Sequence, residues 1–216
     1  MVVERDDSSS TCCTSTCPIE VNGEDKLMAA AHCFTQYSTT EDEFCNVNLN
    51  GHEVEQGACD LASHFGWVDD FDLTRDVVSI PESSASGHDG MDNTIEGETN
   101  REIAGHATKT QTEILMSNGT TVHQRGHASC TTTGVILSHD DFVQRCGESF
   151  YRIRYSTNVT GGDSGGPHYY RPGGSDNLHI LGPHRGRISG DAVGAAAYDI
   201  NNELGWEFGI NPTCSR

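Results

Sequence analysis

The string Gly-Asp-Ser-Gly-Gly-Pro at residues 162–167 contains the residue types that nucleophilic catalysis by a serine requires. A serine hydroxyl is a poor nucleophile unless a base removes its proton and hydrogen-bond donors stabilise the oxyanion that forms. The flanking glycines let the backbone turn tightly, so that the N–H groups of Gly162 and Ser164 could converge on one point as an oxyanion hole. A glycine-rich loop alone is more often structural, so this interpretation depends on finding a base elsewhere in the chain.

This string resembles the active-site serine motif of the chymotrypsin-like serine proteases, and Ala-Ala-His-Cys at residues 30–33 resembles the histidine motif of the same family. The family has its histidine first, its aspartate second and its serine last along the chain, and this sequence keeps that order. The resemblance covers roughly residues 17–208, although only the motifs are close. It implies that His32 is a general base and then a general acid, and that Ser164 attacks a peptide carbonyl to form an acyl-enzyme.

The aspartate that such a triad needs is chosen by the residues that follow it. The family requires an aspartate that opens a short apolar strand, and Asp76 precedes Val-Val-Ser-Ile at residues 77–80. Neighbouring aspartates are alternatives, and Asp72 is the main one. In so acidic a chain an isolated aspartate would otherwise be a solvated surface charge. We therefore predict that the triad consists of His32, Asp76 and Ser164.

Two features resemble the bacterial branch of the family, which includes the streptogrisins, the α-lytic proteases and the glutamyl endopeptidases. The sequence has no Ile-Val-Gly-Gly start whose amino group could pair with Asp163, the acid before the serine. The stretch before His32 is short, and Arg-Gly at residues 125–126 resembles the site of an internal arginine that has this role in the bacterial branch. We therefore predict that Arg125 or a neighbouring group compensates the charge of Asp163.

The resemblance also indicates which residues line the pocket for the side chain that precedes the cut bond. An aspartate six residues before the serine would favour Arg or Lys substrates, but this chain has Asn158 there. His184 resembles the histidine of the glutamate-specific members, and an imidazole can hydrogen-bond a carboxylate, with Arg185 or Arg187 adding positive charge. The prediction is a preference for Glu, with small or apolar residues as the alternative. The predicted pocket residues are Asn158, Thr160, His184 and Gly186.

Composition predicts an all-β chain, because glycine is abundant and short apolar stretches alternate with Gly, Asn, Asp and Ser clusters. The family resemblance implies two perpendicular six-stranded antiparallel β-barrels with the triad in the cleft between them and a short C-terminal segment. We expect a loose polar arm over residues 1–16. The first barrel would cover residues 17–110 with His32 and Asp76, and the second would cover residues 111–216 with Ser164 and the pocket. An Asn-Gly turn at residues 22–23 predicts a hairpin that ends near His32.

Nine cysteines predict an oxidising, extracellular compartment, although the first residues lack the basic and apolar regions of a signal peptide. The family resemblance implies a disulfide between Cys17 and Cys33, beside the catalytic histidine. Local bridges are predicted for Cys45 with Cys59 and for Cys130 with Cys146. The remaining cysteines, which are Cys12, Cys13 and Cys214, are left unassigned.

The net charge of −19 argues against nucleic-acid and anionic-membrane partners, and no run of 18 apolar residues predicts a membrane span. The acidic excess and the scarcity of lysine resemble proteins of salt-loving microbes, with an acidic protein that needs no salt as the alternative. The spacing of Cys and His predicts no metal site, and no cofactor is expected. We predict a secreted, monomeric endopeptidase that acts on polypeptides. The alternative is a catalytically inactive protease-like domain that serves as a binding or adhesion module.

Overall fold

The computed structural model describes residues 2–4, 10–35, 40–56, 63–83, 91, 93–98 and 101–209. Within these residues the chain forms eighteen β-strands, three short α-helices and one 3-10 turn. The prediction of an all-β chain is therefore confirmed. Hydrogen bonds join the strands into four sheets, two built mainly from the first hundred residues and two from the remainder.

The first part of the chain forms two antiparallel sheets from eight strands, which are β1 (Val2–Glu4), β2 (Ser10–Cys12), β3 (Pro18–Val21), β4 (Glu24–Ala30), β5 (Glu53–Gln56), β6 (Ser63–Trp67), β7 (Asp70–Asp72) and β8 (Val77–Pro81). The strand orders are β2-β1-β5-β6 and β3-β4-β8-β7. Asn22 and Gly23 connect β3 to β4 with φ of 55° and 83°, values that Asn and Gly adopt most readily. The predicted hairpin is confirmed, and it leads into the 3-10 turn Ala31–Phe34, which contains His32.

The second part contributes ten strands, which are β9 (Glu102–His106), β10 (Val122–Gly126), β11 (Cys130–Gly134), β12 (Ile136–Arg145), β13 (Glu148–Tyr155), β14 (Pro167–Tyr170), β15 (Asn177–Pro183), β16 (Gly186–Ile188), β17 (Asp191–Ala195) and β18 (Glu207–Phe208). Two sheets have the orders β11-β10-β14-β15-β9 and β12-β13-β17-β16, while β18 returns to pair with β3. Strand β9 pairs in parallel with β15. The sheets of the second part therefore begin with β9, which lies before the division that we expected at residue 111.

Three α-helices lie between the strands, namely α1 (Glu41–Phe44), α2 (Lys109–Ser117) and α3 (Ala197–Leu204), and none of them was predicted. Helix α2 begins with a capping box, in which the Thr108 hydroxyl accepts from the N–H of Gln111 and the Gln111 side chain accepts from the N–H of Thr108. Helix α1 begins in the same way with Thr40 and Glu43. The Thr-x-x-Gln/Glu spacing was thus a sequence signal for both helices.

A shared hydrophobic core joins the two parts of the chain. It packs Ile19 and Val77 of the first part against Phe150, Tyr169 and Ile200 of the second, and all five side chains are fully buried. Full burial of side chains of this size stabilises the fold by about 1.5–3 kcal/mol each. Separate clusters fill the remaining space within each part. Because of the shared core, the elements that carry His32 and Ser164 are held in one arrangement.

The expectation of a loose N-terminal arm is wrong. Strand β1 pairs with both β2 and β5, so the first residues extend a sheet of the first part. Further along, the backbone N–H of Thr14 donates to the carbonyl of Ser164 at 2.8 Å. Main-chain hydrogen bonds stabilise this segment, and composition alone did not predict them because every residue except proline carries a backbone donor and acceptor.

The three disulfide predictions are also wrong. Cys33 is bonded to Cys13, Cys45 is bonded to Cys146, and Cys12 is disulfide-bonded as well. Cys17 and Cys130 are free, whereas Cys59 and Cys214 lie outside the described residues. The reason for the first error is that Cys17 is buried in the shared core, whereas Cys13 and Cys33 lie together in a different cluster. Burial also raises the pKa of the Cys17 thiol well above its ordinary value.

Candidate active site

The pairing of β4 with β8 brings His32 and Asp76 together. These antiparallel strands place Ala30 opposite Val77, so the residues that follow β4 lie beside the residue that precedes β8. The backbone N–H of Ala31 donates to the Asp76 carbonyl at 3.1 Å. Asp76 adopts a positive φ of 63°, which a short polar side chain tolerates better than most. Register and turn conformation together direct the Asp76 carboxylate towards His32.

Both oxygens of the Asp76 carboxylate accept hydrogen bonds from His32. Oδ1 accepts from the backbone N–H and Oδ2 accepts from Nδ1–H of the ring, each at 2.7 Å. The Asp76 side chain is only 1% exposed, whereas the His32 ring is partly open to solvent. A proton on Nδ1 leaves Nε2 free to accept another one.

The alternative acid, Asp72, does not contact His32. Its carboxylate accepts from the backbone N–H of Arg75 at 2.6 Å and pairs with the Arg75 guanidinium at 3.0 Å. Arg75 is itself buried and also pairs with Asp199 at 2.8 Å. Asp72 therefore belongs to an ion-pair network with Arg75 and Asp199, and Asp76 is the acid beside the histidine.

Two arginines approach Asp76 from the second part of the chain. Nε of Arg185 lies 3.2 Å and Nη1 of Arg145 lies 3.7 Å from Oδ2 of Asp76. Burial alone would raise the pKa of Asp76, but the charges of His32, Arg185 and Arg145 outweigh burial and hold this pKa well below its ordinary value. The carboxylate therefore stays ionised throughout the ordinary pH range.

The loop around Ser164 has the shape that its glycines predict. Gly162 and Gly165 adopt φ of 97° and 86°, and a Cβ on Gly165 would come within 2.0 Å of the Thr14 carbonyl oxygen. The hydroxyl of Thr14 donates to the Gly162 carbonyl at 2.9 Å, and that of Thr16 donates to the Gly165 carbonyl at 2.5 Å. The N–H groups of Gly162 and Ser164 have no acceptor among the described residues. Both donors are therefore without a partner in the described part of the chain, as the predicted oxyanion hole requires.

Ser164 and His32 line one cavity of about 560 Å³, which we call the active-site cavity. Gly162 lines the same cavity, as do Cys13 and Cys33. Within the described residues, no hydrogen bond joins the Ser164 hydroxyl to the His32 ring. Such contacts are often long in free enzymes and shorten when substrate binds. The cavity thus brings together the predicted nucleophile, base and oxyanion donors.

Arg125 does not compensate the charge of Asp163, so the first half of this prediction is wrong, whereas neighbouring groups at residues 128 and 129 do contact that carboxylate. Arg125 pairs instead with Glu96 at 3.0 Å. The fully buried Asp163 accepts from the backbone N–H groups of Ala128, Ser129 and Thr160 at 2.8–3.0 Å and from the Ser129 hydroxyl at 2.5 Å. Backbone amides of the turn between β10 and β11 therefore satisfy this carboxylate, and sequence could not identify them because every residue except proline carries such a donor.

The predicted pocket residues are divided between surface and interior. Asn158 and Thr160 are exposed, and Gly186 begins β16 with intermediate exposure. His184 is buried, and its backbone exchanges hydrogen bonds with the serine loop, donating to the Gly166 carbonyl at 2.7 Å and accepting from the N–H of Gly165 at 2.8 Å. His184 is thereby fixed to the loop that carries Ser164.

A second histidine, which sequence reasoning did not select, lies behind His184. Nε2 of His168 is 3.4 Å from Nδ1 of His184, and the His168 ring stacks on Tyr155 with a centroid distance of 3.9 Å. Burial lowers the pKa of His184 to about 4 and holds the pKa of His168 well below its ordinary value. Both rings are therefore neutral at pH 7. The sequence signal for His168 was its position directly after the Gly-Gly-Pro of the serine motif.

We expect these buried histidines to make stability depend on pH. Their pKa values are lower in the folded than in the unfolded chain, so the unfolded chain binds more protons below about pH 6.5. The free energy of unfolding should fall as the pH falls from 6.5 towards 4, with His184 contributing on the order of 3 kcal/mol. Urea unfolding of the wild type and of His184→Gln across this range measures that contribution. Equal pH dependence in the two proteins would contradict it.

No group of three His, Cys, Asp or Glu that could hold a metal ion was found in the described part of the chain. The same residues contain no helix long and apolar enough to cross a membrane.

The sheets are those of the chymotrypsin-like serine protease fold of bacteria, and on them His32 and Ser164 line one cavity while Asp76 is hydrogen-bonded to His32. A glutamic acid-specific serine protease, described as using a histidine triad in substrate binding, is 19% identical with a TM-score of 0.62, over 96% of this chain and 97% of its own. Nocardiopsis protease is 16% identical with a TM-score of 0.60, over 92% and 93%. Cellulomonas bogoriensis chymotrypsin is 15% identical with a TM-score of 0.55, over 91% and 90%. No family model and no curated protein matches the chain. The resemblance predicted from the motifs is thus confirmed at the level of the fold.

Proposed function

We propose that this protein is a serine endopeptidase with the catalytic triad His32, Asp76 and Ser164. The observation that carries the proposal is the pair of 2.7 Å hydrogen bonds from His32 to the buried Asp76 beside the cavity that Ser164 lines. Burying an ionised carboxylate is costly unless it is paired, so an acid directed at a solvent-accessible histidine is difficult to explain as packing alone. A protease-like binding module, the alternative function, would need none of this arrangement.

The proposed reaction follows from the tautomer that Asp76 selects. Nε2 of His32 takes the Ser164 hydroxyl proton while Oγ bonds to the peptide carbonyl carbon, and the N–H groups of Gly162 and Ser164 hold the oxyanion. Collapse of this intermediate breaks the C–N bond, and His32 returns the proton to the departing amine. Water then attacks the acyl-enzyme by the same route, with His32 again acting first as base and then as acid. Ser164 is thereby regenerated.

We propose further that the residue before the cut bond is preferentially Glu. His184 is attached by its backbone to the serine loop, and His168 behind it can exchange a proton with it. The glutamic acid-specific neighbour is described as binding substrate through histidines, which supports this role for the pair. A substrate carboxylate would favour the protonated form of His184, so binding of Glu should take up a proton. The preference for Glu over Gln is therefore expected to increase as the pH falls from 8 to 6.

Digestion of an unfolded protein substrate, with the new termini mapped by mass spectrometry, tests both proposals. We expect cuts predominantly after Glu, and we expect His184→Gln to reduce the Glu-to-Gln ratio of kcat/KM by about 10-fold or more, because a charge-assisted hydrogen bond is lost. His127→Ala, a change at an exposed histidine, is the matched control and should keep the ratio. Cuts without preference for Glu would contradict the pocket proposal alone, and absence of new termini would contradict the peptidase proposal.

We also propose that the protein works outside the cell, on polypeptides, as a monomer. Disulfides that join distant parts of the chain persist in oxidising compartments, and they support this location. The net charge of −19 would be largely screened at about 1 M salt, where the Debye length is roughly 3 Å. Activity should therefore be measured in both low and molar salt.

A further inference from the structure

Three arginines line the active-site cavity together with His32 and Ser164. They are Arg145, Arg152 and Arg185, all from the second part of the chain. Their concentration at one place is notable, because the whole protein has only 13 basic residues against 32 acidic ones. Glu41 is the only acidic residue among the described residues that line the cavity. The lining of the cavity is therefore richer in cations than the rest of this anionic protein, while Asp76 and Asp141, which do not line it, pair with the three arginines.

Two of these guanidinium groups each have one donor without a hydrogen-bond partner, although another nitrogen of Arg152, Nη2, donates to Asp141 at 3.4 Å. Nη1 of Arg145 and Nε of Arg152 are buried and have no acceptor among the described residues. A buried donor that lacks an acceptor carries a desolvation penalty. The Arg145 guanidinium is also held against the Phe44 ring, 3.9 Å from its centroid, so its position is fixed before any ligand arrives.

Arg185 links this cation-rich lining to the triad. Its Nε contacts Asp76 at 3.2 Å, its side chain is 23% exposed, and it has no other acidic partner within the described residues. A guanidinium has five N–H donors in a fork that fits a carboxylate in a bidentate manner. Arg185 can therefore keep its contact with Asp76 and still donate to a substrate.

The cavity is distinct from the site that we assign to the residue before the cut bond. His184, which would bind that residue, is buried against His168 and does not line the cavity. The arginines therefore face a different part of a bound peptide. A carboxylate is the substrate group that would best satisfy their unpartnered donors, because its hydrogen bonds to a guanidinium are charge-assisted.

We propose that Arg145, Arg152 and Arg185 form a second substrate subsite, which binds an acidic residue of the substrate. This Asp or Glu would lie near the cut bond and would be a different residue from the one immediately before that bond. The inference rests on the proposed peptidase function. Substrates would therefore be acidic segments with at least two carboxylates close together. The local charge would also attract such segments towards a protein whose overall charge repels them.

The test uses fluorogenic peptides that share one residue before the cut bond and carry either Glu or its isosteric amide Gln at each neighbouring position in turn. The readout is the Glu-to-Gln ratio of kcat/KM. Because Arg145 and Arg185 contact Asp76, their replacement can lower kcat/KM for every peptide, and this common loss cancels in the ratio. We expect a ratio of about 10 or more for at least one position in the wild type, and a ratio near 1 for Arg145→Gln and Arg185→Gln. Arg101→Gln is the matched control, because Arg101 pairs with Glu98, which contacts none of the three arginines, and does not line the cavity.

The outcomes separate this inference from the peptidase proposal. If the wild type hydrolyses all peptides with Glu-to-Gln ratios near 1, the second subsite is overturned and the peptidase proposal stands. The same conclusion follows if the Glu-to-Gln ratio of Arg145→Gln equals that of the wild type. If no peptide is hydrolysed, the peptidase proposal fails and this inference fails with it. If Arg145→Gln does not fold, Arg145→Lys replaces it. Lysine keeps the positive charge but lacks the paired N–H donors of a guanidinium, so the Glu-to-Gln ratio should fall only in part. An unchanged ratio would again overturn the inference.

Discussion

Replacing Asp76 with asparagine is expected to lower kcat by about 10⁴-fold while leaving the fold intact. Asp76 accepts one hydrogen bond on each oxygen, from the backbone N–H and from Nδ1–H of His32. Asparagine has only one acceptor oxygen, so its amide nitrogen must face one of these two donors. If the oxygen keeps the backbone bond, the amide donates to Nδ1, and the proton moves to Nε2 of His32. That tautomer cannot accept the proton of Ser164.

Peptide hydrolysis and thermal unfolding should be compared for Asp76→Asn and Asp72→Asn. Asp72 was the alternative triad acid, but its carboxylate pairs with Arg75 and does not contact His32. We therefore expect Asp72→Asn to change stability more than kcat, and Asp76→Asn to change kcat far more than stability. The opposite pattern would mean that the wrong carboxylate has been assigned to the triad.

Removal of the disulfide between Cys45 and Cys146 is expected to destabilise the protein by about 4–5 kcal/mol. The bond closes a loop with a sequence separation of 101 residues, so the unfolded chain gains much conformational entropy when the bond is absent. It joins the residue after α1 to the turn between β12 and β13, and so connects the two parts of the chain. The loss is comparable with the whole stability of many small domains.

Urea unfolding of Cys45→Ser/Cys146→Ser against the wild type, under non-reducing conditions, measures this contribution. Cys130→Ser is the matched control, because Cys130 is a free and exposed thiol, and it should unfold at nearly the wild-type urea concentration. If the double variant were as stable as Cys130→Ser, the disulfide would not stabilise the protein by restricting the unfolded chain, and this prediction would be contradicted.

The meeting of Ser164 and His32 at one cavity was predictable because each lies in a string whose residues are needed at fixed positions. The glycines beside Ser164 are required because the backbone there has positive φ values and because the Thr14 carbonyl lies close to Gly165. Such requirements restrict the residue type at each position, so they can be recognised in the local sequence. The choice of Asp76 over Asp72 depended on a weaker local signal, the apolar strand that follows it. Its physical basis is the pairing of β4 with β8, which is not local.

The features that sequence did not predict depend on contacts between distant residues or on backbone groups. Which cysteine bonds to Cys33 is decided by the core cluster into which each side chain packs, and spacing along the chain does not encode this. The donors to Asp163 are mostly backbone amides, which carry no residue-specific signature. The gathering of three arginines around the active-site cavity likewise follows from the paths of β12, of β13 and of the connection between β15 and β16, which carries Arg185, rather than from any motif.

The central claim, that Ser164 is an activated nucleophile, is tested most directly by labelling the folded protein with a fluorophosphonate probe in both low and molar salt. The Ser164 oxygen would bond to phosphorus with loss of fluoride, and mass spectrometry would find the adduct on the peptide that contains Ser164. We predict labelling of the wild type in at least one salt condition, and none in Ser164→Ala. Absence of labelling in both conditions, or equal labelling of Ser164→Ala, would contradict the assignment of this site as a serine peptidase centre.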